Sequence, residues 1–202
     1  MKKYEKMVRS FIDRDPNFDL ALSVAKNNSL GGDIWIVGSF LYKNILKQKY
    51  GVDNIVIKDY DFMLENQRSY SDTIVPEGWV NKPTYYGGPR LLGDGIEVDV
   101  YPIKEALENF SIKTEGLNFE EMMRFYLRGA IFDIQSLAYN YSEGKLIDEG
   151  SIRAIESRKT NITCIDSCVG ISKKKGISLD EYLDHKSRSI GVEIVRDNNA
   201  SY

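Results

Sequence analysis

The stretch "IKDYDFML", residues 57–64, sets two aspartates, Asp59 and Asp61, one residue apart in an otherwise apolar run. Side chains alternate along a strand, so both carboxylates face one way, about 6–7 Å apart. Ile57 and Met63 share that face, while Tyr60, Phe62 and Leu64 point the other way, toward a core. Carboxylates this close repel, and one holds a proton unless a cation neutralises the pair. Hard divalent cations such as Mg²⁺ take carboxylate oxygens and keep positions open for water and phosphate, so Asp-x-Asp reads as a metal platform. The alternative is a solvated edge strand with two exposed acids. A second alternating run, "GIEVDVYPI" at 95–103, puts Glu97 and Asp99 on one face and Val98 and Val100 on the other. Paired beside the first strand, it brings Asp99 to the Asp59/Asp61 cluster, with Glu97 the alternative third acid. A two-metal site that activates an attacking hydroxyl and clamps a leaving oxygen needs such a carboxylate set.

Phosphate chemistry is legible further upstream. In "DIWIVGSFLYKNILKQKYG", residues 33–51, an apolar strand runs into Gly38-Ser39 and then a helix. Glycine lets the backbone approach a ligand, and a helix N-terminus presents free N–H groups to an anion. Ser39 adds a hydroxyl, which is also the usual helix cap. The Gly-rich loop "PTYYGGPR", 83–90, reads either as a mobile loop, with Arg90 on a phosphate and Tyr85 or Tyr86 on a base, or as a hairpin loop packed on the domain. The run "SKKKGIS" reads as a loop whose Lys173, Lys174 and Lys175 are a solvated surface or touch an RNA backbone. The single histidine, His185, lies in a charged helix, which argues against histidine-driven acid–base chemistry. Cys164 and Cys168 have no further Cys or His nearby and read as free thiols, not a zinc site.

These residues need a scaffold. The chain has 202 residues, 42% hydrophobic and 28% charged, which fits one domain or one domain with a helical extension. The net charge of −3 argues against a long nucleic-acid-tracking face and leaves room for a local basic pocket. No apolar run approaches a membrane span, and the charged start lacks the apolar centre of a signal peptide, so a cytoplasmic location is expected. Helices are predicted before Pro16, over the "DLALSVAKNNSLGG" stretch and after Gly38-Ser39. Strands follow around residues 34–37, 54–64 and 95–103, with a short one possible in "GWVNKPTYYGGPR". From about residue 118 the pattern turns helical through "NFEEMMRFYLRGAIFDIQSLAYNYSEG". A short strand at "KLID" and helices at "GSIRAIESRKT" and "SLDEYLDHKSRSIGVEIV" complete the chain. The expected class is α+β: a small mixed sheet flanked by helices, with a helical C-terminal part.

The order of these motifs resembles the polymerase-β-type nucleotidyltransferases. Within them it is most similar to the head domain of CCA-adding transfer-RNA nucleotidyltransferases and bacterial poly(A) polymerases. "IVGSFLYKNIL" stands where that family has its "VGG" turn, and "KDYDFML" matches its "DIDI" strand. "LRGAIFDIQSLAYNYSEGKLID" matches its "RRDFTINALAY…G-x-L-I-D" segment. The resemblance spans roughly residues 33 to 162. It implies a head domain over 1–115 and a neck-like helical extension over 116–202. It implies Mg²⁺-dependent transfer of a nucleoside monophosphate from an NTP to an acceptor hydroxyl, with an RNA 3′ end as the expected acceptor. Asp59, Asp61 and Asp99 would be the catalytic, metal-binding acids. Gly38, Ser39, Lys43, Arg90, Arg124, Arg128 and Gln135 would bind nucleotide. The departures are specific. The family's Arg-Asp after the glycine turn is Tyr42-Lys43, its paired arginines align with Gly129 and Ala130, and its asparagine aligns with Gln135. Arg124 and Arg128, one helical turn apart, could supply the missing charge or lie on the surface. A nucleotide-binding regulatory domain, or a transferase acting on a small molecule or a protein, are the alternatives.

Overall fold

The structure, a computed structural model, describes residues 1–51, 57, 59–84, 88–108 and 111–196. Two helices, α1 (Lys2–Ile12) and α2 (Phe18–Asn28), precede β1 (Ile34–Val37), α3 (Ser39–Tyr50) and β2 (Asp59–Leu64). Then come β3 (Val80–Pro83), β4 (Pro89–Gly93), β5 (Ile96–Pro102), α4 (Ile103–Glu108) and α5 (Phe119–Arg128). The chain continues through β6 (Leu137–Asn140), β7 (Lys145–Asp148), α6 (Ser151–Ser157), β8 (Lys159–Asn161), α7 (Ile165–Lys175), α8 (Leu179–Ile190) and β9 (Glu193–Val195). Seven strands form one mixed sheet in the order β3-β4-β5-β2-β1-β6-β7, and β8 pairs with β9 in a separate ribbon. Only β2 and β5 run parallel within the large sheet. This is the expected α+β class.

The sheet has a packed face on each side. On one, Ile34, Ile36, Tyr60, Phe62, Leu64, Val98 and Val100 join residues of α1, α2, α3, α6 and α8 in the main core. Phe40 lies 5.1 Å from the Tyr60 ring and 5.6 Å from Phe18, so the aromatic residues of β2 pin α3 and α2 against the sheet. On the other, Trp35, Val37 and Met63 pack with Ile103 of α4 and with Met122, Met123 and Leu127 of α5. Asn118 caps α5 reciprocally: its Oδ1 accepts from the Glu121 backbone N–H at 2.9 Å, and its own N–H donates to Glu121 Oε2 at 2.8 Å.

Several elements depart from the sequence-based expectation. The helix expected through residue 144 ends at Arg128, where Gly129 closes it on the carbonyls of Phe125 and Tyr126. "LAYN" becomes β6 instead. All four of its residues are buried, and a strand buried on both faces shows no alternation to separate it from a helix. Lys173, Lys174 and Lys175 are not in a loop but in the last turn of α7, where their charge opposes the helix dipole. β6 pairs with β1, so the large sheet draws strands from both sides of residue 115. Among the described residues no helix is long and apolar enough to cross a membrane.

Candidate active site

The β1–β2 register decides the position of the acids. The pair is antiparallel with Val37 opposite Asp61, so the end of β1 delivers Gly38 and Ser39 directly beside that carboxylate. Gly38 sits at φ 72°, ψ −151°, a conformation costly for any residue with a side chain. A Cβ there would also overlap Asp61 Oδ2. The backbone N–H of Ser39, first residue of α3, donates to Asp61. Ser39 Oγ is buried and has no hydrogen-bond partner among the described residues. The turn is thus a tight cradle with an unused hydroxyl, at the start of a twelve-residue helix whose first N–H is held by Asp61.

β2 and β5 are parallel, with Asp59 opposite Glu97 and Asp61 opposite Asp99, so all four acids share one face of the sheet. Burial first, then the charges of Asp99 and Asp59, push the Asp61 carboxyl up to about 8; Arg90 and the Ser39 N–H pull the other way. Asp99 is differently placed. It is buried, and its two oxygens accept a fork from Arg90: Nε to Oδ1 at 2.9 Å and Nη2 to Oδ2 at 2.8 Å. The Tyr101 hydroxyl adds a third bond to Oδ2 at 2.9 Å. Arg90 also reaches Glu97 at 3.4 Å. The strand pairing brings Asp59, Asp61 and Asp99 onto one face, with Asp99 taken up by Arg90 and Tyr101; among the described residues no group of three or more His, Cys, Asp or Glu side chains is arranged to hold a metal ion. Asp59 and Asp61 fit one hard cation by their shared face and their repulsion.

No protein-family model matches the chain, and no curated protein sequence does. Solved structures do. A CCA-adding enzyme in complex with CTP aligns over 95% of this chain and 43% of its own, at TM-score 0.59 and 15% identity. A CCA-adding enzyme in complex with ATP aligns over 90% of this chain and 40% of its own, at TM-score 0.52 and 16% identity. The fold is nucleotidyltransferase-like. At such identities it is the architecture that is shared, and this chain spans less than half the length of either enzyme.

Within this nucleotidyltransferase-like fold, the cationic residues divide into two groups. Lys43 lies one turn beyond Ser39 on α3. Lys186, half-buried on α8, lies one turn beyond buried Tyr182. Burial and the charges of Lys175 and Lys43 hold the Lys186 ammonium below the usual lysine range, and Asp59 acts in the opposite direction. Lys43, Lys175, Lys186 and Asp59 thus form one electrostatic neighbourhood. Tyr42, buried, feels Asp61 and Asp59, and burial and those charges raise its hydroxyl. Lys186 escaped the sequence reading, and Tyr42 appeared in it only as a departure from the family's Arg-Asp. No local motif marks Lys186: the packing of α7 and α8 sets where it lies relative to Asp59.

Arg124 and Arg128 are engaged elsewhere. Arg124 Nη1 meets Glu149 Oε1 at 2.6 Å and Arg128 Nε meets Glu149 Oε2 at 2.9 Å. Arg124 also pairs with Glu120 at 2.9 Å, and Glu120 with Lys145 at 2.6 Å. Glu149 follows β7, which β1 and β6 separate from β2. Gln135 accepts the Phe132 backbone N–H through Oε1 at 3.2 Å, closing a 3₁₀ turn. Next to it, buried Asp133 accepts from Thr160 Oγ1 at 2.6 Å, from the Asn161 N–H at 3.0 Å and from Asn161 Nδ2 at 2.6 Å. Asp133 thereby ties this turn to β8 and has a clear structural use. Tyr85 and Tyr86 lie outside the described residues. Two cavities, of about 370 and 530 Å³, lie away from Asp59, Asp61 and Asp99.

Proposed function

We propose that this chain is a nucleotidyltransferase that moves a nucleoside monophosphate from an NTP to an acceptor hydroxyl. The acceptor oxygen forms a bond to the α-phosphorus, the bond from that phosphorus to the β-phosphate oxygen breaks, pyrophosphate leaves and the hydroxyl proton passes to solvent. The observation that carries this reading is the Gly38–Ser39 cradle closed against Asp61, with Asp59 on the same face. The architecture shared with CCA-adding enzymes solved with CTP and with ATP supports a nucleotide as the ligand. In this reading the α3 N-terminus and the orphan Ser39 hydroxyl bind the β- and γ-phosphates. Lys43 and Lys186 add positive charge beside them. Asp59 and Asp61 would hold Mg²⁺, which when bound supplies neutralisation of the triphosphate and of the two acids. An RNA 3′ end is the proposed acceptor, by likeness to the CCA-adding enzymes.

The test is incubation of the full chain with labelled NTPs, Mg²⁺ and RNA bearing a free 3′ hydroxyl. Labelled RNA with release of pyrophosphate is the expected result. No transfer to RNA from any of the four NTPs would overturn this assignment. A second reading, a nucleotide-binding regulatory domain without turnover, draws on the occupation of Asp99 by Arg90. It calls for NTP binding by calorimetry with no pyrophosphate released.

A further inference from the structure

Asp99 stands where a third metal-binding carboxylate is expected, and its surroundings do not suit a metal. The β4–β5 register sets Arg90 directly across from Asp99. Cross-strand pairs on one face are the closest side-chain neighbours a sheet offers, so this contact is built into the strand pairing. Both Asp99 oxygens are engaged, by the Arg90 fork at 2.9 and 2.8 Å and by the Tyr101 hydroxyl at 2.9 Å. Only 4% of the side chain is exposed, which leaves no path for a cation that keeps several waters. Tyr101 is itself fixed: Gly88 packs so closely against its ring that a Cβ would overlap it. Arg90 is braced on its other side by Glu97 at 3.4 Å.

A guanidinium is always charged, and its planar donors match a carboxylate edge to edge. At Asp99 it neutralises the buried acid, which is the electrostatic task a metal ion would otherwise perform. A divalent cation approaching Asp99 would meet that positive charge and find no free oxygen. Asp61, by contrast, is held by the Ser39 N–H, and Arg90 bonds neither Asp61 nor Asp59.

We propose that Arg90 stands in for a second cation at Asp99, so that the site takes up a single divalent ion, on Asp59 and Asp61. The identity of the site rests on the nucleotidyltransferase reading; the count of ions is the new claim. Asp99 is then a positioning residue for Arg90 and not a metal ligand.

The experiment counts Mn²⁺ bound to the full chain by electron paramagnetic resonance, alone and with a non-hydrolysable ATP analogue. Wild type with the analogue is expected to bind one Mn²⁺ per chain. Asp99→Asn is expected to keep that ion with affinity changed less than about twofold. Arg90→Met, which vacates the position without adding charge, is expected to bind two. Arg90→Lys, which keeps the charge, is expected to bind one and serves if the Met variant does not fold. Two ions in wild type or in Arg90→Lys, one in folded Arg90→Met, or loss of the ion in Asp99→Asn would each overturn the proposal. Absence of any bound Mn²⁺ in wild type, with or without the analogue, would remove the nucleotidyltransferase reading as well.

Discussion

Two arginine–carboxylate clusters, on different parts of the sheet, use the same chemistry to different ends. At β4–β5, Arg90 grips Asp99, whose side chain is 4% exposed. Beyond β7, Arg124 and Arg128 share Glu149, which is 14% exposed. The first pair is fixed by strand register and sits on the face that carries Asp59 and Asp61. The second joins a helix face to a loop, and Glu120 and Lys145 extend it along the surface. One cluster engages an acid on the face that carries Asp59 and Asp61. The other engages the two arginines expected at the nucleotide. Charge content near a motif therefore says little until each charge has been assigned its partner.

The largest expected effect separates the acids from the distant arginines. Asp61→Asn should lower nucleotide transfer about a thousandfold, since the lost cation stabilisation is several kcal/mol. Replacing both Arg124 and Arg128 with alanine should lower it less than about tenfold if they serve Glu149 rather than the triphosphate. Single-turnover assays with labelled ATP measure both, and a loss of equal size would break the distinction.

Stability gives the next contrast. Asp99→Ala strands Arg90 beside Glu97 and removes a buried, triply bonded acid, at a cost of about 3–5 kcal/mol. Glu149→Gln should cost about 1 kcal/mol, because Arg124 retains Glu120 and the pair is screened by solvent. Urea denaturation at neutral pH reads both. Gly38→Ala lies between them, at about 2–3 kcal/mol, from its strained backbone and its overlap with Asp61.

The last contrast is in pH. Asp61 is raised to about 8 in the folded chain, so its contribution to stability is full at acid pH and is lost as pH climbs toward 8. Glu149 is buried enough to favour its neutral form, yet Arg128 and Arg124 outweigh this and hold it below the usual range. Its contribution is present above the usual glutamate value and is lost as pH falls through the folded one. In metal-free protein, Asp61→Asn should therefore flatten the decline toward pH 8, by about 2–4 °C in Tm per kcal/mol. Glu149→Gln should flatten only the acid limb. Thermal melts across about pH 3.5 to 9 would show the two variants acting on opposite limbs.

The parts of this site legible in the sequence are those written in local spacing. Alternation in "IKDYDFML" and "GIEVDVYPI" placed Asp59, Asp61, Glu97 and Asp99 on one face, as the strand register has them. The glycine at 38 announced a backbone that only glycine tolerates easily. What escaped was set by pairing at a distance. Arg90 meets Asp99 because β4 returns antiparallel in one register, and a slip of one residue would turn Arg90 to the other face. Lys186 comes into the field of Asp59 only through the packing of α7 and α8. α7 itself was hidden by Ile165, Val169, Gly170 and Ile171, poor helix formers that tertiary contacts override. β6 was hidden because burial on both faces erased its period.

The pairing of β1 with β6 has a consequence for synthesis and truncation. β1 is buried along its whole length, and its second edge is covered by a strand that leaves the ribosome about a hundred residues later. Until then "IWIV" offers a flat apolar edge for another chain to pair with. A fragment ending near residue 115 should therefore self-associate in light scattering, while one carried through β7 should remain dispersed. The strand that seals the sheet is also the one that makes the nascent chain safe.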